Sequence, residues 1–365
     1  LILLYACHGS SFLHIVRTIK EVTAMKRCLL VLVVMTLGLC ACTGTPVSTP
    51  SASEEPQSTV LGGGLGKLVY IKQVKLVDAE ARVSNIFYYD LAAGAETQIT
   101  DNTTSIEQMQ YIDANWSPDG TQVIYSVSEK TVPRGTKEYY WNSLIYMSDL
   151  TGENVTQVSI VPEYRGDQKP EDLLIEYMPS FIDAEHVLFI SNRNNVSNFR
   201  NENVQPYIIN LTTKEITRPF TTYTHLRSAA ISPDGSQIAF CAWNDGLKMY
   251  LADLSNDGEI TQLPEGDGMF SSPTFSPDGQ LIAYNVTVAG NYDIHVMKID
   301  GSVVKPVTTQ PTREYFGSWS PDGKWMAYIS GQAGVNQVFI QNLETGETQQ
   351  ITEGDAPLVY AHWSP

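Results

Sequence analysis

Short apolar runs punctuate this chain, and most are too brief and too β-branched or aromatic to be helices. Val123-Ile124-Tyr125, Ile238-Ala239-Phe240, Ile282-Ala283-Tyr284 and Met326-Ala327-Tyr328 each follow a Ser-Pro-Asp-Gly turn, which starts at Ser117, Ser232, Ser276 and Ser320. A large residue stands just before each turn: Trp116, Phe275 and Trp319, with Ile231 as the weaker copy. A second apolar run follows, at Leu144 to Met147, Lys248 to Leu251, Ile294 to Met297 and Gln337 to Ile340. It closes on Asp149, Asp253, Asp300 or Asn342, with Gly152, Gly258, Gly301 or Gly346 soon after. A last short run contains Gln98-Ile99-Thr100, Thr261-Gln262-Leu263 or Gln350-Ile351-Thr352. Such runs bounded by turn signals predict strands, and each unit supplies four of them.

The units are evenly spaced. Their serines fall at 232, 276, 320 and 364, steps of 44 residues. A period of this length with strand content predicts a β-propeller. In the turn, Pro fixes φ at the second position, Asp bonds the backbone ahead, and Gly supplies φ > 0 where the chain re-enters the sheet. Asp119, Asp234, Asp278 and Asp322 are therefore turn formers on separate blades, not acid, base or metal groups. Two more units are hidden. Phe181-Ile182-Asp183-Ala184-Glu185 replaces one turn, with Val187 to Ile190 as its following strand. Lys67 to Ile71, Ile86 to Asp90 and Gln98 to Thr100 supply three strands of a blade that lacks its first. Tyr360 to Pro365 supplies a first strand without followers, and Leu65-Gly66 stands where Asp-Gly would be. The fold expected is all-β: a six-bladed β-propeller of four-stranded antiparallel blades, closed by the C-terminal strand. Closure leaves no unpaired edge in the ring.

The recurring aromatic-Ser-Pro-Asp-Gly-x-x-Ile-Ala-Tyr resembles the TolB-like propeller, a WD-like repeat family, over residues 65–365. The resemblance implies the fold. It implies no particular activity, because the repeat serves many proteins.

The N-terminus reads differently. Met25-Lys26-Arg27 opens a basic stretch and Leu29 to Leu39 is almost unbroken apolar sequence. That run is short for a bilayer span and suits a signal peptide. Leu39-Cys40-Ala41-Cys42 resembles the lipobox of bacterial lipoproteins, which makes Cys42 the lipidated residue. The organisation expected is thus an over-extended start at 1–24, a lipoprotein signal at 25–41, a Ser/Thr/Pro/Gly tether at 42–64 and the propeller at 65–365. The protein is expected to be exported and held at the membrane, in the periplasm or at the cell surface, by a lipid anchor only. Beyond Cys42 the one cysteine is Cys241, so no disulfide is expected within the mature chain.

A formal charge of −17 excludes a basic nucleic-acid face. No nucleophile elbow, phosphate loop, zinc or calcium motif is present, and neither a cofactor nor a metal is expected. The long insertions fall on one face: Ser128 to Asn142, Ser159 to Tyr177 and Ser191 to Gln205, all in blades two and three. Loops on a rigid scaffold and exposed aromatics are where partners bind. The candidate binding residues are Tyr139, Tyr140, Trp141, Tyr164 and Phe199 in these insertions. Tyr177, Tyr223, His225, Arg227, Arg313, Tyr315 and Tyr360 join them near the starts of first strands. The function expected is a monomeric, non-catalytic scaffold that binds a protein, peptide or glycan. The alternative is a lyase or glycosidase at the channel mouth, for which His225, Arg227, Arg313 and Glu314 are the clustered candidates.

Overall fold

The computed structural model describes residues 65–75, 82–131, 140–160, 174–193, 204–223, 225–255, 258–263 and 268–365. All belong to one compact unit, Ser58–Pro365. The described residues form strands, turns and bends, without a helix.

Among the described residues twenty-four strands make six antiparallel sheets of four. The second blade runs β4 (Met109–Trp116), β5 (Gln122–Thr131), β6 (Tyr140–Asp149) and β7 (Thr156–Gln157). The third runs β8 (Glu176–Phe181), β9 (His186–Ser191), β10 (Gln205–Asn210) and β11 (Ile216–Thr217). The fourth holds β12 (Leu226–Ile231) to β15 (Glu259–Gln262), the fifth β16 (Met269–Phe275) to β19 (Val303–Pro306), and the sixth β20 (Glu314–Trp319) to β23 (Thr348–Gln350). The first blade joins the two ends of this unit. Its order is β24 (Leu358–Trp363), β1 (Lys67–Lys75), β2 (Arg82–Asp90) and β3 (Ala95–Gln98). The six-bladed propeller read from the repeat is the observed fold.

Each turn is built as its residues dictate. The Ser117 hydroxyl donates to Asp119 Oδ1 at 2.6 Å and accepts Gln122 N–H at 2.9 Å, while Gly120 sits at φ 67°. The same bonds recur at Ser232, Ser276 and Ser320. The split blade reproduces half of this across the closure. Ser364 Oγ accepts Lys67 N–H at 2.9 Å, and Gly66 takes φ 71°. In blade three Asp183 Oδ1 accepts the N–H groups of Glu185 and His186, so the divergent copy is also a hairpin turn.

The fourth strands lie slightly earlier than the apolar runs suggest: β3 ends at Gln98, and Ile99-Thr100 is the exit. Ile99 N–H donates to Ile86 O, and Thr100 Oγ1 accepts Ile86 N–H at 2.8 Å. A hydroxyl thus takes the place of a ladder carbonyl. Ser159, Thr308 and Thr352 do the same for Ile145, Ile294 and Val338.

The core is divided. Six apolar clusters each fill a seam between neighbouring blades, such as Ile124, Ile145, Val187, Phe189 and Tyr207 between blades two and three. The first strands β4, β8, β12, β16, β20 and β24 touch in a closed ring around an axial channel. Every one of them carries a register shift. Bulges of this kind re-aim side chains, here toward the axis.

Candidate functional site

The bulges build the upper part of the channel. In blades three, five and six the bulged residues Met178, Ser272 and Phe316 take φ values of 55°, 52° and 63°. Non-glycine residues rarely hold such values without support from their surroundings. The support comes from the preceding blade. Met178 N–H donates to Asp113 Oδ2 at 2.8 Å, Ser272 N–H to Ser228 Oγ at 3.0 Å, and Phe316 N–H to Asn285 Oδ1 at 3.1 Å.

Above these residues a cavity of about 520 Å³ opens on the face where first strands begin. The strand ends that flank the first insertion, Thr131 and Tyr140, lie on that face too, next to the start of β4 at Met109. Tyr177, Arg227, Tyr292, Arg313, Tyr315 and Tyr360 wall it, and Asp113 and Phe316 lie in its floor. Asp113 is buried and accepts a second N–H, from Ser126, at 3.0 Å. Burial pushes its carboxyl up to about 6 even so. Burial also pushes the Tyr177 hydroxyl up to about 12, and raises Tyr360 and Tyr315. All three phenols are therefore neutral donors at physiological pH. Asn336 Nδ2 donates to the Tyr315 hydroxyl, and the Tyr177 hydroxyl reaches Leu226 O at 3.3 Å. Arg313 lies over the Tyr292 ring, 5.2 Å from its centre, and Arg227 is exposed. Neither guanidinium pairs with a carboxylate among the described residues. In a chain of net charge −17, two arginines without a carboxylate partner among the described residues thus line one aromatic mouth.

Five of the residues singled out from the sequence line this cavity: Tyr177, Arg227, Arg313, Tyr315 and Tyr360. Tyr223 does not; its ring packs on Phe240 and Tyr250, with centres 5.4 and 4.5 Å away. His225 and Glu314 also stay out of the lining, so the four polar residues considered for a lyase do not converge there. Glu314 is fully buried, with hydrogen bonds from Thr312 and Ser330. Trp141 is 40% exposed at the start of β6, and Tyr140 is its neighbour in that strand. Tyr139, Tyr164, Phe199 and Cys42 lie outside the described residues. Sequence reasoning passed over Asp113, Asn285, Tyr292 and Phe316. A carboxylate three residues before Trp116, between the apolar residues Ile112 and Ala114 of the first strand, was the available signal for the first.

Among the described residues no group of three or more His, Cys, Asp or Glu side chains could hold a metal ion. Cys241 is buried and its thiol is pushed up to about 12 by burial, which leaves it inert.

Residues 221–365 match the family described as the TolB beta propeller domain. The fold is a TolB-like β-propeller. Over 86 residues, 23% of its length, the chain is 33% identical to an uncharacterized protein of Agrobacterium fabrum. Over 90 residues, 25% of its length, it is 31% identical to the Tol-Pal system protein TolB of Hydrogenovibrio crunogenus. These matches span 29% and 20% of the two relatives. The crystal structure of TolB from Acinetobacter baumannii superposes with a TM-score of 0.62 at 20% identity, over 82% of this chain and 67% of that one. A chain of the nidogen/laminin complex superposes with a TM-score of 0.54 at 10% identity, over 81% and 98%. Such distant likenesses carry the fold and no activity.

Proposed function

We propose that this propeller is an exported, non-catalytic scaffold that binds a protein partner through an acidic, partly aromatic or apolar segment at the insertion-bearing mouth. The observation that carries this reading is a pair of arginines, Arg227 and Arg313, with no carboxylate partner among the described residues, set among Tyr177, Tyr292, Tyr315 and Tyr360. Arg and Tyr are the residue types that dominate binding energy at interfaces, because they offer flat contact area and directed hydrogen bonds. The negative charge elsewhere steers an acidic segment away from other surfaces and toward this mouth. A Tol-Pal system protein among the relatives favours a protein partner over a glycan.

A partner captured from envelope extracts by photo-crosslinking from position 177 tests the site. Arg227→Ala and Arg313→Ala are each expected to weaken its binding by roughly 2 kcal/mol. Asp278→Ala and Asp322→Ala, in turns on the opposite face, are expected to leave affinity unchanged. Loss on Tyr140→Ala with Trp141→Ala, and not on the arginine changes, would move the site to the rim of blade two.

Export and anchoring rest on the signal-like stretch ending at Cys42. Cys42→Ser is expected to release the protein from the membrane fraction and to abolish incorporation of a labelled fatty acid. Unchanged fractionation would exclude the lipid anchor.

A further inference from the structure

The opposite end of the channel has a different chemistry. There a cavity of about 440 Å³ opens among the Ser-Pro-Asp-Gly turns. Its volume falls within the range of small-molecule sites. No Asp, Glu, Lys or Arg lines it, whereas the other mouth holds Asp113, Arg227 and Arg313. Prolines of the repeated turns, such as Pro277, form its outer rim.

At one level of this cavity each blade contributes the residue just before its large turn-flanking side chain. These residues are Asn115, Ser180, Ala230, Thr274, Ser318 and His362. All are paired with the next strand at the same register step, from Asn115 with Ile124 to His362 with Val69. Five of the six are uncharged polar groups arranged around the axis. The fold leaves part of their hydrogen-bonding capacity unused. Asn115 accepts Trp116 N–H with Oδ1, and its Nδ2 has no partner among the described residues. The Ser180 hydroxyl makes no hydrogen bond among the described residues. Thr274 Oγ1 donates to Gly317 O and keeps its lone pairs. Ser318 Oγ accepts Trp363 N–H and keeps its proton. His362 Nδ1 is 3.1 Å from Trp363 O, which can only accept. The proton of the neutral ring is therefore on Nδ1, and Nε2 is a free acceptor. Burial holds the ring neutral, pulling its pKa down to about 4.

We propose that this mouth binds a neutral cyclic polyol of monosaccharide size, lying across the axis with its hydroxyls directed at Asn115, Ser180, Thr274, Ser318 and His362. A ring of outward hydroxyls, each both donor and acceptor, matches a ring of mixed donors and acceptors. The absence of Asp, Glu, Lys and Arg side chains from the lining disfavours an acid or amine, which would lose its hydration without a charged side chain to compensate. The apolar rim takes the C–H face of the sugar ring.

The test is a titration of the intact protein with myo-inositol, glucose and galactose, with glucuronate as the charged comparison. Saturable binding of at least one neutral polyol, with Kd of about 1 mM or tighter, is expected. The ¹⁵N resonance of His362 Nε2 should shift with the same saturation curve. Ser180→Ala removes a hydroxyl that bonds to none of the other described residues, and should weaken binding about tenfold. Silence of all three polyols in the wild-type protein overturns the proposal. So does saturation that leaves the His362 resonance unmoved, affinity unchanged in Ser180→Ala, or glucuronate binding as tightly as the neutral sugars.

Discussion

Single side chains carry much of this fold, and two of them give it opposing responses to acid. His362 titrates near 4 in the folded protein, because burial disfavours its charged form, against an ordinary value of 6.5. Between these values the unfolded chain binds more protons than the native one, so His362 makes stability fall as pH drops from 6.5 toward 4. Asp113 works the other way. Its carboxyl titrates near 6 in the fold against an ordinary 3.8, again because of burial. Across that interval the native state binds more protons, so acidification adds stability. The two slopes oppose each other in the wild-type protein. They should separate in the variants: Asp113→Asn melts at progressively lower temperature from pH 6 to 4, while His362→Gln melts at higher temperature over the same interval. Parallel slopes in the two variants would show that neither group titrates as its burial implies. The turn aspartates act further down. Hydrogen bonds from Ser232 and from Ser236 hold Asp234 at about 2, so its contribution is lost only as pH falls below the ordinary carboxylate range.

Within elements, the same strand position is solved in different ways by different blades. Glu176 in β8 and Glu314 in β20 both open a first strand, both are fully buried, and both accept from a serine opposite, Ser191 or Ser330. In blade three Arg193 pairs with Glu176 and lies over the stacked rings of Phe189 and Tyr207, 5.1 and 5.5 Å from their centres. Blade six keeps the stacked rings as Tyr328 and Phe339, but exposed Gln332 stands where the arginine would be. Burial raises the Glu314 carboxyl accordingly. Arg193→Gln should cost about 3 kcal/mol, because it leaves a buried carboxylate without its cation. Gln332→Arg should raise the melting temperature by giving blade six the partner that blade three has. Urea unfolding of both proteins checks the pair, and equal effects of the two changes would refute it. Such differences are hard to read from the chain. The turns were legible because Pro, Asp and Gly act through their own backbone, as at Ser276 to Gly279. The charge partner of Glu176 was not, because it lies 17 residues away and is set by the packing of β8 against β9.

For the whole molecule, ring closure was legible and the channel lining was only partly so. The steps of 44 residues and the complementary ends are enough to place β24 beside β1. Which first-strand residues face the axis depends on the bulges, and these follow from blade-to-blade contacts such as Asp113 with Met178. Tyr177 and Arg227 could be named from the chain, while Asp113 and Phe316 could not. Closure itself makes the strongest demand on stability. Trp363 is 2% exposed, donates from Nε1 to Leu65 O at 2.7 Å, and receives support through its N–H from Ser318. Its strand pairs with β1 and packs against β4, β20 and the second strand of blade six, Trp325–Ser330. Deleting Tyr360 to Pro365 would uncover the edge of β1 and open the apolar seams on both sides of the blade. Loss of a buried Trp alone costs about 3–5 kcal/mol, and the unpaired edge adds a route to aggregation. The deletion is expected to abolish cooperative melting or to give an insoluble product, whereas Trp363→Phe, which keeps the strand, should melt cooperatively at a lower temperature. A deleted protein that unfolds cooperatively at the wild-type temperature would mean that the first blade stands on three strands and that the ring does not depend on β24.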